Sequence, residues 1–203
     1  MKMEFNWRDT YARQVQDIIE YSEAAYQRGL VSGTGGNISA RCGEYIIITA
    51  TNVPLRRVTP EKLILCSLDG SPLDAAPGER PSKETGFHAA VYRARPDVKW
   101  VAHLHPVYSI VWGLQGLELP LLTESARLKL GQVPIIPVGT PGSKELAEAV
   151  TTSVVKAGPT TRAFFMREHG ILAVGATAAD CYHTCELLED SAKIAVLDRL
   201  FKA

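Results

Sequence analysis

The stretch Arg162-Ala163-Phe164-Phe165-Met166-Arg167-Glu168-His169-Gly170-Ile171-Leu172-Ala173-Val174 decides the fold class. Arg162 to Met166 and Ile171 to Val174 each read as a strand, and only Arg167-Glu168-His169-Gly170 separates them. Strands this close break the strict strand–helix alternation of a parallel sheet. The same pairing recurs upstream. Tyr45 to Thr49 is a β-branched strand, Thr51-Asn52-Val53-Pro54 turns out of it, and Lys62 to Leu68 is the next strand, closed by Asp69-Gly70-Ser71-Pro72. Val98 to Leu104 and Val133 to Val138 are strands set between helices. The pattern predicts an α/β fold, with a mixed or antiparallel sheet covered by helices.

The helices carry their own punctuation. From Asn6 to Arg28, residues Tyr11, Val15, Ile18, Ile19, Ser22 and Ala25 recur at helical spacing, with Asn6 as cap and Gly29 as stop. A glycine-rich loop, Leu30 to Ser39, follows. Asp74 to Arg80 reads as a polar loop. Ser82 reads as the N-cap of a helix from Lys83 to about Arg95, stopped by Pro96. Pro106 suits the first position of another helix. Ser143 caps a helix with Leu146, Ala149, Val150, Ser153 and Val154 inward. Thr177, with Asp180 three residues on, opens the last helix, whose stripe is Cys181, Cys185, Leu188, Ala192 and Val196.

The bulk numbers bound the function classes. The 203 residues suit one domain, 1–203, with a full core. Lys+Arg (22) balances Asp+Glu (22), so net charge argues for neither nucleic acid nor an anionic membrane. No apolar run approaches a membrane span and no secretory leader is evident. Cys42, Cys66, Cys181 and Cys185 form no CxxC pair and read as reduced core thiols, so the expected location is cytoplasmic.

The five histidines are the main chemical signal. In Ala102-His103-Leu104-His105-Pro106 both imidazoles are expected to point outward together on one face of a strand, because side chains alternate, while Leu104 points to the core. Such a pair is half of a metal site, or two histidines with ordinary hydrogen bonds. His169 is a third candidate at a turn between strands, where Gly170 allows close backbone approach; a turn residue bonded to backbone would look the same. Three histidines leave a fourth coordination position open, the catalytic pattern for zinc. His88 and His183 read as structural, and Cys181 with Cys185 as core thiols.

A metal that polarises a carbonyl needs a partner to move protons. Glu84, at the start of a helix, is the candidate; it could equally serve only the helix terminus. The Thr34-Gly35-Gly36-Asn37 loop, and Ser82 with Lys83 at a helix N-terminus, can cradle phosphate or carboxylate. Any one of these pieces alone is an ordinary turn or cap.

Four blocks in this order resemble the class II aldolase/adducin-like family, the superfamily of L-fuculose-1-phosphate aldolase and L-ribulose-5-phosphate 4-epimerase. They are Gly33-Thr34-Gly35-Gly36-Asn37-Ile38-Ser39, Arg80-Pro81-Ser82-Lys83-Glu84 with Phe87-His88, Val101-Ala102-His103-Leu104-His105-Pro106, and Glu168-His169-Gly170. The resemblance spans Val15 to Lys202. It implies a three-layer α/β/α domain with a mostly antiparallel sheet, assembled as a homotetramer with active sites at subunit interfaces. It implies that His103, His105 and His169 hold Zn2+ (or Co2+ or Mn2+) and that Glu84 is the acid/base. It places Thr34, Gly35, Asn37, Thr51, Asn52 and Ser82 at the substrate phosphate.

The family chemistry is retro-aldol cleavage. The expected activity is therefore a zinc-dependent lyase that splits a small phosphorylated ketose into dihydroxyacetone phosphate and an aldehyde. Two departures qualify it. Lys83 stands where the aldolases carry a second serine, which suits an anion and also a substrate carboxylate. The stretch Pro120 to Arg127 lacks the tyrosine that donates a proton in the aldolases, and Glu124 lies near that position. A dehydratase of the methylthioribulose-1-phosphate type, a decarboxylase or a sugar-phosphate 4-epimerase would use the same metal site. A non-catalytic adducin-like domain is the remaining alternative, and the complete histidine set speaks against it.

Overall fold

The structure, a computed structural model, describes residues 6–202. The parts of the predicted 1–203 domain and of the leader reading that fall on residues 1–5 and 203 lie outside the described residues. The chain runs α1 (Trp7–Thr10), α2 (Ala12–Gln27), β1 (Asn37–Cys42), β2 (Tyr45–Thr49), β3 (Leu63–Ser67), β4 (Pro72–Asp74), α3 (Thr85–Ala94) and β5 (Trp100–Leu104). It continues with α4 (Val107–Gln115), α5 (Glu124–Lys129), β6 (Ile135–Ile136), α6 (Lys144–Ala157), β7 (Ala163–Met166), β8 (Gly170–Gly175) and α7 (Ala178–Lys202).

All eight strands join one sheet in the order β4-β3-β2-β1-β5-β8-β7-β6. Every neighbouring pair is antiparallel except β6 with β7, so the sheet is mixed but mostly antiparallel, as expected. The two strands that bracket His169 pair directly, Met166 opposite Gly170.

Alternation along β5 shows how the layers form. Ala102 and Leu104 face Tyr21 of α2 and Cys181 and Tyr182 of α7. His103, one residue out of phase, meets the ring of Phe87 on α3. Helices α2, α4 and α7 pack on the first side, and α3 with α6 on the second. Both faces of β5 are therefore covered and all five of its residues are buried. This corrects the expectation that both imidazoles point outward: they share a face, but His103 is fully buried beneath α3.

Several element boundaries move. The Asn6–Arg28 helix is two: Asn6 caps α1 by accepting from the Arg8 N–H, and the chain breaks helical geometry at Tyr11 before α2 begins. Pro72 to Asp74, read as turn and loop, is an edge strand on β3. The Val133–Val138 strand shrinks to Ile135–Ile136. Pro106 is the residue before α4, not its first turn. The largest shift is at Ser82. The helix starts at Thr85 with Glu84 as its capping residue, because the Ser82 carbonyl accepts the Thr85 N–H and hydroxyl and closes a separate turn ahead of it. Ser143, Thr177 and the Cys181–Cys185–Leu188–Ala192 stripe stand where expected, Val196 being only partly buried.

Candidate metal centre

The cluster is built by pairing across strands. His103, next to the last residue of β5, lies opposite Asn37 on one side and Leu172 on the other. His105 follows two residues later, its N–H held by the Leu30 carbonyl. His169 arrives from the β7–β8 turn. Gly170 makes this approach possible, since a Cβ there would strike the Leu104 carbonyl oxygen and sit 2.8 Å from the His105 ring. Gly35 presses equally close, leaving no room for a Cβ beside His105 Nδ1, 2.7 Å away.

One nitrogen from each of His103, His105 and His169 lies within 4.8 Å of the others. His103 Nδ1 donates to the Ile171 carbonyl at 2.9 Å, which leaves its Nε2 lone pair facing the cluster. His105 Nε2 lies 2.8 Å from that atom. This contact is a hydrogen bond when His105 carries its ring proton on Nε2, and a pair of lone pairs converging on one cation when it carries that proton on Nδ1. Both rings are neutral: burial, with the neighbouring imidazoles, holds His103 well below the usual imidazole range and pushes His105 down to about 4. Neutral imidazoles are the form that ligates a metal. Three convergent ring nitrogens, with His105 and His169 open to a cavity, form a donor set that fits zinc, and cobalt or manganese by the same chemistry.

Glu84 sits beside this cluster. Its Oε2 lies 3.3 Å from His103 Nε2 and its Oε1 3.3 Å from His169 Nε2. Burial raises its pKa, opposed by the Asn37 amide donating to Oε2 at 2.8 Å and by His169. Oε1 is buried and makes no hydrogen bond, and neither does His169 Nδ1. A buried, unbonded carboxylate oxygen beside three imidazoles is costly in a resting fold, and is a group left free for chemistry.

A cavity of about 240 Å³ opens above these atoms. Thr34, Gly35, Asn37, Thr51, Asn52, Ser82, Lys83, Glu84, His105 and His169 all line it. The far-apart Thr51 and Ser82 segments meet because the Thr51 N–H donates to the Arg80 carbonyl, the Ser82 N–H donates to the Thr49 carbonyl, and Ala50 bridges Pro81. Wider clefts of about 630 and 770 Å³ border α6, and no candidate residue lines either.

Two details of the anion cradle change. Asn37 belongs to β1, not to the loop, and its amide is spent on Glu84 and His88. The Gly35 N–H already donates to the Ser32 carbonyl. Lys83 is exposed at the rim. Glu124 is exposed at the start of α5 and is not among the cavity residues. Sequence reasoning passed over Glu189. It reaches from α7 to accept from the Tyr108 and Ser109 N–H groups and the Ser109 hydroxyl, so capping the helix that follows His105. The signal was Pro106, which has no side chain to cap that helix.

Fold and cluster together define an α/β protein built around a histidine triad of metal-ligating geometry. The chain belongs to the family described as Class II Aldolase and Adducin N-terminal domain, which residues 16–196 match. It is 30% identical over 185 residues to a 3-oxo-tetronate 4-phosphate decarboxylase of Escherichia coli, covering 88% of this chain and 84% of that one. It is 27% identical over 178 residues to an L-fuculose phosphate aldolase of Methanococcus maripaludis, covering 88% and 93%. The crystal structure of L-fuculose-1-phosphate aldolase from Thermus thermophilus superposes with a TM-score of 0.83 at 28% identity, over 94% of this chain and 96% of that one.

Proposed function

We propose that this chain is a metal-dependent carbon–carbon lyase acting on a small phosphorylated keto compound. One observation carries the reading: His105, His169 and Glu84 line a single cavity, with His103 buried directly behind them in the same cluster and Oε1 of Glu84 without a hydrogen bond. His103, His105 and His169 are the ligands. A divalent metal held there supplies Lewis-acid polarisation of a carbonyl oxygen. Glu84 carries the proton to or from the carbon beside that carbonyl. Thr34, Gly35, Thr51, Asn52, Ser82 and Lys83 receive the anionic end of the substrate, and Asn37 acts through Glu84.

Two reactions share this machinery. In retro-aldol cleavage the bond breaks to release an aldehyde, leaving dihydroxyacetone phosphate; the methanogen and Thermus relatives support it. In decarboxylation the departing fragment is CO₂. Lys83 favours this second reading, as a cation at the rim suited to a carboxylate, and so does the Escherichia coli relative. The demand for proton carriers points the same way. Decarboxylation asks only for a proton delivered to carbon, which Glu84 provides. Retro-aldol cleavage also needs a base for the substrate hydroxyl, and among the described residues Glu84 is the one carboxyl lining the cavity. Glu124 would have to enter from a neighbouring chain. Four buried free thiols suit a reducing compartment such as the cytoplasm.

The test loads the protein with zinc, measures metal by elemental analysis, and offers L-fuculose 1-phosphate and 3-oxo-tetronate 4-phosphate separately. Stoichiometric zinc with an aldehyde product supports aldol cleavage, and zinc with CO₂ release supports decarboxylation. Failure to retain any divalent metal would overturn both.

A further inference from the structure

We propose that His88 is a positioning residue: it fixes which way the Asn37 amide faces, and so which oxygen of Glu84 is left to carry the proton. This rests on the role proposed above for Glu84. His88 does not line the cavity. It is fully buried, one helical turn after Glu84 on α3, and every polar atom of its ring is used. Its Nε2 lies 2.6 Å from Asn37 Oδ1 and its Nδ1 lies 2.7 Å from Ser39 Oγ. Tyr92 Oη sits 2.7 Å from the same Oγ and 2.9 Å from the Ser39 carbonyl oxygen, and its one proton is shared between the two.

The direction of these bonds follows from chemistry. A carboxylate only accepts, so Asn37 turns its Nδ2 toward Glu84 Oε2, at 2.8 Å. Its Oδ1 then faces His88 and needs a donor, which requires the proton on His88 Nε2. Nδ1 is left as an acceptor, and the Ser39 hydroxyl donates to it. Burial keeps the ring neutral by pushing its pKa down to about 3, so one nitrogen donates and the other accepts. Were the amide reversed, its oxygen would face the carboxylate and its NH₂ the Nε2–H, two repulsive contacts in a dry site. The network therefore holds one amide orientation, ties up Oε2, and leaves Oε1, the oxygen with no hydrogen bond, beside His169. An amide does not relay protons readily, so the network orients Glu84 and does not feed it.

Two measurements on the zinc-loaded protein test this. Nitrogen NMR of the histidine rings should show His88 neutral with its proton on Nε2; a proton on Nδ1, or a charged ring, overturns the proposal without any variant. The second follows exchange of a carbon-bound hydrogen of dihydroxyacetone phosphate for deuterium in D₂O, a step common to both cleavage reactions. His88→Gln places an amide NH₂ near the position of Nε2 and should keep most of the wild-type rate. His88→Asn is too short to reach Asn37 and should lose on the order of 10- to 100-fold at saturating probe, with zinc content and probe affinity unchanged. Equal rates in the two variants, or a loss in His88→Asn that merely follows lost zinc, overturns the positioning role. A wild-type protein that exchanges no deuterium overturns the Glu84 reading, and the positioning role with it.

Discussion

Single residues around the cavity hold the conformations that cost most. Asn52 and Glu168 are the two non-glycine residues with positive φ among the described residues, at 59° and 61°, and they flank the site: Asn52 lines the cavity and Glu168 precedes His169. Asparagine tolerates this region; glutamate is strained there by about 1 kcal/mol. Glu168→Gly should therefore raise unfolding stability slightly in urea while loosening His169 and weakening zinc binding in a chelator competition. Tighter zinc binding would contradict this. His103→Ala should fold but lose stoichiometric zinc, and a full complement of metal in that variant would sink the ligand assignment. His88 also ties stability to pH. An ordinary imidazole takes its proton near 6.5, and burial pushes this one to about 3. Between those values the unfolded chain holds a proton that the folded chain refuses, so stability falls as pH drops, by about 1.4 kcal/mol per unit from this group. Metal-free wild type should lose stability from pH 6 to pH 4 more steeply than His88→Gln. Parallel slopes would refute the buried neutral ring.

At the scale of elements, α4 depends on a cap from elsewhere. Pro106 offers its helix no side-chain acceptor, and the Glu189 carboxylate of α7 takes the N–H groups of Tyr108 and Ser109. An anion at a helix N-terminus also meets the positive end of its dipole. Glu189→Ala should cost about 2 kcal/mol or more in urea unfolding, since it strips three hydrogen bonds from a buried charged acceptor. Because α4 begins directly after His105, the same change should weaken zinc binding. A loss below about 0.5 kcal/mol would show that the cap is idle.

Across the whole molecule, apolar side chains remain uncovered on two helices that pack together. Val107, Val111 and Leu114 project from α4, and Ile194, Leu197, Leu200 and Phe201 from the end of α7, with Phe201 91% exposed. A single chain that leaves this much apolar surface in water has reason to associate. Such a surface favours the self-association that the expected homotetramer requires. Light scattering should find an assembly, and Val111→Lys with Leu197→Lys should drive it toward single chains. A wild-type protein that is monomeric at micromolar concentration would remove the basis for a neighbouring chain supplying Glu124. No helix among the described residues is long and apolar enough to cross a membrane.

The sequence alone determined whatever depends on local spacing. The period-two placement of His103 and His105, the short connection that carries His169, the Ser143 and Thr177 caps and a sheet that is not purely parallel all follow from neighbours along the chain. Only the tertiary structure decided what those neighbours face. Burial of His103 under α3, the late start of α3 that makes Glu84 its cap, and the diversion of Asn37 from the anion loop to Glu84 depend on which face of β1 and β5 is covered. Alternation gives two faces but does not say what covers each one. The pairing of Glu189 with α4 and the meeting of the Thr51 and Ser82 segments likewise span long stretches of chain. They form because buried N–H and carboxylate groups must find partners wherever packing brings them together.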